Sequence, residues 1–324
     1  FKNAITKEWN LTLEHGFGSN WSTRLSYVGN QGQHLPWNSG PINVPDVQIP
    51  NATIQAQRPF QPFGAINATR SGGYQSFNQL QAGIKKRFNS GFSVQGEYQY
   101  TRSLDDVATA GGPQQWRQPY LDYGNTVGLR RHWLVVNYIY ELPFGRGRQW
   151  LNHLGRVGDA VLGGWQLSGI TTYGSGQPFS VSFSQTGTKF TGWWPSRANQ
   201  VPGASLYKGR QSGSHDIING VQWYNVDAFA PPQPWQWGTS ARDMLFGPGM
   251  WNWDMSGMKT FSIPERMKLQ FRADFLDAFN HFNLGQPSAS IADTRDNGTP
   301  VPNAGKVMGG SGSRVVQLSL NLRY

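Results

Sequence analysis

Few side chains in this sequence have the types and spacing that catalysis or metal binding needs. The 324 residues contain no Gly-x-Ser-x-Gly elbow, Walker loop, His-Glu-x-x-His motif or EF-hand loop. Cysteine is absent, which removes disulfides, thiolate ligands and cysteine nucleophiles. The six histidines are too widely separated to predict a metal cluster: His15, His34, His132, His153, His215 and His281. We expect no enzyme active site, no metal and no cofactor, and we expect structural hydrogen bonds at His132 and His281.

Two other groups of residues could bind a ligand, and each has a second role. Asp105-Asp106 could hold a cation, although a solvated turn at the start of a loop is the more common setting for such a pair. Indole rings in loops either stack on sugar rings and peptide side chains or pack the loops against each other. Five loop tryptophans are therefore candidate substrate-contact residues: Trp193, Trp194, Trp223, Trp235 and Trp237. Both roles stay open for them.

The composition does not fit an ordinary soluble domain. Charged residues make up 14% of the chain, against about 25% in soluble domains, while aromatic residues also reach 14%. Mean hydropathy is −0.53 and no apolar run of about 18 residues exists, which excludes helical membrane spans. The net charge of +10 comes from scattered basic residues without a long run, so we expect no nucleic-acid partner. A membrane protein that is apolar at every second residue satisfies these facts.

An alternation with the period of a β-strand defines the elements that must position these residues. In residues 314–324, apolar side chains would share one face: Val316, Leu318, Leu320, Leu322 and Tyr324. A half-buried strand of a soluble sandwich shows the same alternation, but an aromatic final residue is typical of the closing strand of a bacterial outer-membrane barrel. Eight further segments alternate in the same way: 9–17, 21–27, 79–88, 92–100, 134–142, 165–173, 252–261 and 269–275.

Short and long connections alternate between these segments. Tight turns are predicted at 18–20, 89–91 and 263–266, and residues 150–162 have the spacing of a short amphipathic helix. Long loops rich in Gly, Pro and Asn are predicted at 29–76, 104–128, 184–249 and 283–312. Outer-membrane barrels show this asymmetry, with tight periplasmic turns and long extracellular loops.

Charged residues fall almost entirely on one face of the predicted strands. The other face carries only Lys86 and Lys259, both close to a tight turn, where a lysine can reach the lipid headgroups; in mid-bilayer it would cost about 2–4 kcal/mol. The charged face has both signs: Glu8, Glu14, Arg24, Lys85, Arg87, Glu97, Glu141, Asp254, Lys268, Arg272, Asp274 and Arg323. The pattern predicts a lipid-facing surface on one side and a polar lumen on the other.

Several motifs occur in a recognisable order along the chain. They are Leu-Ser-Tyr-Val-Gly-Asn-Gln-Gly at 25–32, Lys-Lys-Arg-Phe at 85–88, Tyr-Gln-Tyr-Thr-Arg-Ser-Leu-Asp-Asp at 98–106, Arg-Arg-His at 130–132, Tyr-Glu-Leu-Pro-Phe-Gly at 140–145, Leu-Gly-Gly-Trp-Gln-Leu-Ser-Gly-Ile at 162–170, Gly-Pro-Gly at 247–249 and Phe-Asn-His-Phe-Asn at 279–283. As an ordered set they resemble the carboxy-terminal half of Oar-like TonB-dependent outer-membrane receptors, a group common in acidobacteria. The resemblance implies a barrel of about twenty-two strands with an amino-terminal plug, driven by TonB.

We therefore expect an all-β fold, with residues 1–324 forming the carboxy-terminal segment of one antiparallel transmembrane β-barrel with long extracellular loops. About nine of about twenty-two strands would belong to this chain, and the plug and amino-terminal domain would lie outside it. If the carboxy terminus is in the periplasm, counting nine strands backwards places the start of the first strand outside the cell. A complete barrel normally has both ends in the periplasm, so this position favours earlier strands outside this chain.

The expected function is that of a TonB-dependent receptor and transporter in the bacterial outer membrane, for an unidentified substrate that is imported or, as a protein, exported. Its expected partners are outer-membrane lipid, the remaining strands of the same barrel and the TonB complex, reached through the plug. A passive porin is the alternative within transport. A secreted carbohydrate-binding or adhesive β-protein with exposed loop tryptophans is the alternative outside it.

Overall fold

The computed structural model is an antiparallel sheet whose long strands are neighbours in chain order. It describes residues 2–43, 45, 52–106, 113–114, 117–184, 197–207, 219–232, 237–263, 267–293 and 299–323. Within these residues the long strands are β1 (Ile5–Phe17), β2 (Trp21–Pro41), β3 (Asn67–Asn89), β4 (Phe92–Asp105), β5 (His132–Glu141), β6 (Trp165–Gly174), β7 (Met250–Ile263), β8 (Met267–Leu276) and β9 (Val315–Arg323). Each alternating segment of the sequence overlaps one of these strands. The predicted all-β antiparallel fold is confirmed.

The strand register carries one apolar face across the sheet. From β9 back to β4, one row of paired positions reads Leu318, Ala273, Gly257, Leu167, Tyr140 and Phe92. The neighbouring row reads Gln317, Asp274, Ser256, Ser168, Ile139 and Ser93. We call the two sides the apolar face and the polar face. A slip of one residue in any strand would exchange them, so the alternation fixes the register.

Among the described residues, most of the apolar face is not covered by protein. Leu320 at its centre in β9 is 68% exposed, and Leu11 and Leu13 of β1 are also exposed. Burying apolar surface is worth about 25 cal/mol per Å², so a face of this size in water would be strongly unfavourable. The sheet is therefore built for apolar surroundings.

The connections at the two ends of the sheet differ in length. At the short-turn end, residues 18–20 join β1 to β2 and residues 90–91 join β3 to β4, while the predicted turn at 263–266 lies mostly outside the described residues. A longer segment, 142–164, joins β5 to β6 there and contains helix α2 (Arg156–Leu162), which confirms the predicted short helix. The long connections all leave the opposite, long-loop end.

The prediction of a loop throughout 29–76 is wrong. Strand β2 continues to Pro41 and β3 begins at Asn67, so paired backbone occupies much of this segment, and helix α1 (Ile54–Gln57) lies in the remaining connection. Register shifts after Gly32 and Asn38 accommodate the irregular sequence. Backbone pairing does not require apolar alternation, so strands that continue past an apolar environment lose the signal that identifies them.

Long-loop segments form a second layer with its own core. We define the loop cap as the described residues of 113–131, 175–249 and 277–314. Its largest buried cluster contains Val181, Phe183, Ala198, Tyr224, Ala228, Phe229, Leu245 and Ile291. Short strands and 3-10 turns supply the backbone: Pro119–Asp122, Gly124–Asn125, Pro178–Phe179, Ser182–Ser184, Asn199–Gln200, Val221–Gln222, Val226–Ala228, Phe229–Ala230, Leu245–Phe246, Asn283–Leu284, Ser290–Asp293, Thr299–Pro300, Lys306–Val307 and Gly310–Ser311. Among the residues described, no helix has the length and apolarity to cross a membrane.

Candidate functional site

Charged side chains of different strands bond to each other on the polar face. Arg24 of β2 donates to Glu97 of β4 with 2.9 Å between Nη2 and Oε2, across the intervening strand β3. The bridge passes over Gly83, where an added Cβ would lie 2.8 Å from Glu97 Oε2. A residue without a side chain therefore permits this ion pair between strands that are not neighbours.

The polar face also bounds a cavity of about 730 Å³ along β4 to β9. Apolar atoms form most of its lining, and carboxylate, guanidinium and amide groups supply much of the rest: Gln95, Asn137, Asp254, Arg272, Asp274 and Gln317. Arg272 and Asp274 pair with each other, with 2.8 Å between Nε and Oδ1. The polar groups offer hydrogen-bond donors and acceptors, and charges of both signs, to a hydrophilic solute.

A buried ion pair attaches the loop cap to the rim of the sheet. Arg242 of the loop cap donates to the side chain of Asp105, the last residue of β4, and to its carbonyl oxygen at 2.6 Å. Thr126 donates to the same carboxylate. The backbone packs closely here, since a Cβ at Gly124 would lie 2.3 Å from Arg242 O. We call Arg242 and Asp105 the rim latch.

A second buried ion pair joins separate segments within the loop cap. The Arg197 guanidinium contacts the Asp122 carboxylate, and its Nε donates to Ser240 O at 2.8 Å. The backbone N–H of Gln114 donates to the other Asp122 oxygen at 2.9 Å. Three sequence segments thus meet at one charged pair, which favours a single arrangement of the loops.

Burial perturbs two carboxyl groups beside the rim latch. It is the largest cause of a raised pKa at Asp106, which accepts a hydrogen bond from the backbone N–H of Tyr74 at 2.6 Å. Burial also raises the pKa of Asp243, although the hydroxyl of Ser180 donates to it at 2.8 Å. Both groups therefore favour the protonated form more than a carboxyl in water does.

The predicted solvated turn at Asp105-Asp106 is wrong, because both side chains are buried. The Asp105 carboxylate pairs with Arg242 of the rim latch, and the Asp106 carboxyl accepts from the backbone N–H of Tyr74. The signal that could have indicated this partner, an arginine 137 positions later in the chain, is not local. The sequence reasoning likewise missed Arg197, since nothing near it marks a buried cation.

The predicted histidine hydrogen bonds involve different groups. The His132 ring lies 2.7 Å from the Tyr98 hydroxyl, measured from Nδ1, and packs beside Tyr100. At His281 the backbone N–H donates to Asp277, and the ring packs edge-on against Trp251 with centroids 5.1 Å apart.

The tryptophan candidates have different surroundings. Trp223 is buried in a small cluster with Val221 and Val307, and its indole N–H donates to Phe246 O at 2.8 Å. Trp237 is partly exposed. The other candidates, Trp193, Trp194 and Trp235, lie outside the described residues.

The two lysines that the sequence analysis placed on the apolar face, Lys86 and Lys259, bind backbone carbonyls at the short-turn end. Lys86 Nζ donates to Asn89 O and Phe92 O at 3.0 and 2.9 Å. Lys259 Nζ donates to Asp159 O at 3.1 Å and to Gly163 O. The sequence predicted that these amines reach lipid headgroups, whereas the structure directs them to protein acceptors. The register also places Lys7, near the start of β1, and Arg102, near the long-loop end of β4, on the apolar face.

Comparison with known proteins identifies a family by sequence. The family described as outer membrane beta barrel domain matches residues 1–317. No curated protein matches the chain.

Several solved structures are similar to the chain at low identity. BauA, the ferric preacinetobactin receptor from Acinetobacter baumannii, is 14% identical over 97% of this chain and 29% of that chain, with a TM-score of 0.46. The outer membrane transporter YddB from Escherichia coli is 10% identical over 98% and 32%, with a TM-score of 0.44. The FrpB iron transporter from Neisseria meningitidis is 10% identical over 98% and 31%, with a TM-score of 0.43. The chain spans about a third of the length of these structures.

Proposed function

This chain belongs to the outer membrane beta barrel domain family, and we propose that it forms the wall, the polar lumen and the extracellular mouth of a TonB-dependent receptor of the Oar-like type. The family places it in the bacterial outer membrane. In this proposal the apolar face meets lipid, the polar face lines the lumen and the loop cap faces outward. The remaining strands and a plug that binds TonB would complete the barrel.

The observation that carries the proposal is the inverted distribution of apolar side chains. The strands expose theirs on one face, and the main buried clusters among the described residues lie in the loop cap. A secreted sandwich would bury the strand faces against each other. A lumen with both signs of charge, joined to a folded mouth by the rim latch, is suited to selective passage of a hydrophilic substrate.

The test uses the complete gene product in detergent and in planar bilayers. We expect it to bind the purified periplasmic domain of TonB from the same bacterium and to give no steady ion current, because a plug closes the lumen. A steady open-channel current without TonB binding would instead identify a passive porin. Extraction of the protein from cells by buffer without detergent would contradict both.

We propose substrate contact for four tryptophans of the mouth and a packing role for Trp223. Trp237 is the described candidate that is partly exposed, and Trp193, Trp194 and Trp235 are proposed on sequence grounds. Replacing Trp237 with alanine should weaken uptake with little change in folding, whereas Trp223→Ala should destabilise the loop cap. Equal loss of folding in both variants would contradict this division.

A further inference from the structure

Segment 142–164 differs from the other described connections at the short-turn end because it contains a helix with an uncovered apolar surface. Val157 and Val161, one helical turn apart in α2, are 79% and 61% exposed. Leu162 on the same helix is exposed too, as are Trp150 and Leu151 in the preceding turn. Within the described part of the chain, no element covers these side chains.

Helix α2 is attached to the apolar face of the sheet. Trp165, the first residue of β6, donates its indole N–H to Val161 O at 2.8 Å. Lys259 of β7 donates to Asp159 O and Gly163 O. Asp159 O already accepts from the backbone N–H of Gly163, but Val161 O and Gly163 O have no partner within the helix, so the two side chains satisfy groups that would otherwise need water. A cation at this terminus also complements the helix dipole.

The donors belong to an aromatic cluster on the apolar face. Lys259 Nζ lies 5.7 Å from the centre of the Trp165 ring and 5.2 Å from that of Phe261. Trp165 packs edge-on against Phe271 with centroids 6.1 Å apart. The exposed surface of α2 therefore continues the apolar face at its short-turn end, where Trp165 and Lys259 are residue types that suit a membrane–water interface.

The charge of the segment is positive. Residues 142–164 contain three arginines, one histidine and one acidic residue, Asp159. Asp159 is engaged within the segment, since its Oδ1 accepts from the backbone N–H of Arg146 at 2.7 Å. Arg156 lies exposed beside Val157 on the helix. Basic residues flanking an exposed apolar stripe complement a surface of phosphate groups above acyl chains.

We propose that α2 is an interfacial anchor that binds the glycerophospholipid leaflet at the short-turn end of the barrel. Val157 and Val161 contact the acyl chains, and Arg156 contacts the phosphates. Lys259 and Trp165 hold the helix in the membrane plane by fixing its carboxy-terminal end. This inference rests on location in the outer membrane and does not depend on the proposed transport.

The test places a fluorescent label on the helix of the complete gene product. This chain has no cysteine, so the variant Val157→Cys introduces a single thiol into the chain. That thiol is labelled with an environment-sensitive nitrobenzoxadiazole group. The matched control is Val127→Cys, another exposed valine, at the long-loop end. Both proteins are reconstituted in vesicles of phosphatidylethanolamine and phosphatidylglycerol, and folding is checked by the shift in gel migration on heating.

We expect headgroup-nitroxide lipids to quench the label at position 157 several-fold more than at 127, and iodide to show the reverse order. Strong iodide quenching at 157 without lipid quenching would overturn the proposal. Adding Arg156→Gln to the labelled protein should reduce lipid quenching when phosphatidylglycerol is present but not when phosphatidylcholine replaces it. Equal quenching in both lipids, with and without this substitution, would overturn the assigned phosphate contact.

Discussion

At the scale of single residues, glycines in the sheet decide which side chains can meet across a strand. At Gly83 a new Cβ would meet the flexible end of Glu97. At Gly169 it would lie 2.4 Å from Tyr138 Oη and 2.8 Å from the backbone oxygen of Asp254. Tyr138 crosses Gly169 to accept a hydrogen bond from Trp253 Nε1 at 2.9 Å. On both faces a side chain therefore crosses a glycine to reach its partner. The neighbouring atoms can move aside at Gly83 but not at Gly169.

This difference predicts unequal effects of the same substitution. Gly83→Ala should cost below about 1 kcal/mol, because Glu97 can move away and the exposed ion pair is worth little. Gly169→Ala should cost about 1–3 kcal/mol or more, because rigid ring and backbone atoms obstruct the methyl group. Urea unfolding of the complete protein in vesicles measures both values. Equal costs would contradict the packing described for Gly169.

The buried carboxyl groups beside the rim latch predict a pH dependence. Burial raises the pKa of Asp106 and Asp243 above the ordinary 3.8, so their contribution to stability is complete below that pH. It is lost as pH rises through the raised values. The double variant Asp106→Asn and Asp243→Asn keeps neutral acceptors for Tyr74 and Ser180 and lacks this loss.

The stability of the double variant relative to the natural protein should therefore increase from about pH 4 to about pH 7. Thermal unfolding followed by tryptophan fluorescence gives the difference at each pH. Because the other carboxyl groups are common to both proteins, their contributions cancel. A difference that stays constant or falls with pH would show that the two acids are not protonated preferentially in the folded protein.

At the scale of elements, the rim latch determines whether the loop cap stays on the sheet. Arg242→Met leaves Asp105 buried without its cation, a change that typically costs about 3–5 kcal/mol. We expect faster protease cleavage within the loop cap, while the heat-dependent gel shift of the barrel is retained. The matched control is Arg148→Met, which removes the exposed ion pair with Glu141 at the short-turn end. Similar cleavage of both variants would contradict the role of the latch.

At this scale, the sequence predicted the strands that have one face in apolar surroundings and the other in polar surroundings. In β9, Leu318 and Gln317 are adjacent and opposite, so the alternation is visible without any tertiary information. The outer parts of β2 and β3 were missed because their residues do not alternate between apolar and polar. The arrangement of the loop cap was missed for another reason. Arg197 and Asp122 are 75 positions apart, and their pairing depends on contacts that no local pattern encodes.

At the scale of the whole molecule, the long strands and the main buried clusters lie in different parts of the described protein. A soluble β-sandwich instead buries its core between its strands. The sheet exposes an apolar face and a polar face, and the loop cap contains the main buried clusters among the described residues. Low charge content with negative mean hydropathy is the compositional result of this division, so the fold class was predictable from sequence. The candidate site was predictable only in part. The charges of the polar face follow the apolar–polar alternation of the strands, whereas the pairing of Arg242 with Asp105 follows no local pattern.

Adjacent residues of β9 give the sharpest test of this division. Leu320 lies on the apolar face and pairs with Phe271, whereas Ser319 lies on the polar face and pairs with Arg272. An arginine near the middle of the lipid-facing surface costs about 2–4 kcal/mol, while one in an aqueous lumen keeps its hydration. Leu320→Arg should therefore lower the urea midpoint in vesicles and slow assembly of the heat-modifiable form. Ser319→Arg should change both only slightly, by repulsion from Arg272. If Ser319→Arg were the more damaging of the two, the polar face would be the packed side and lipid would not meet Leu320.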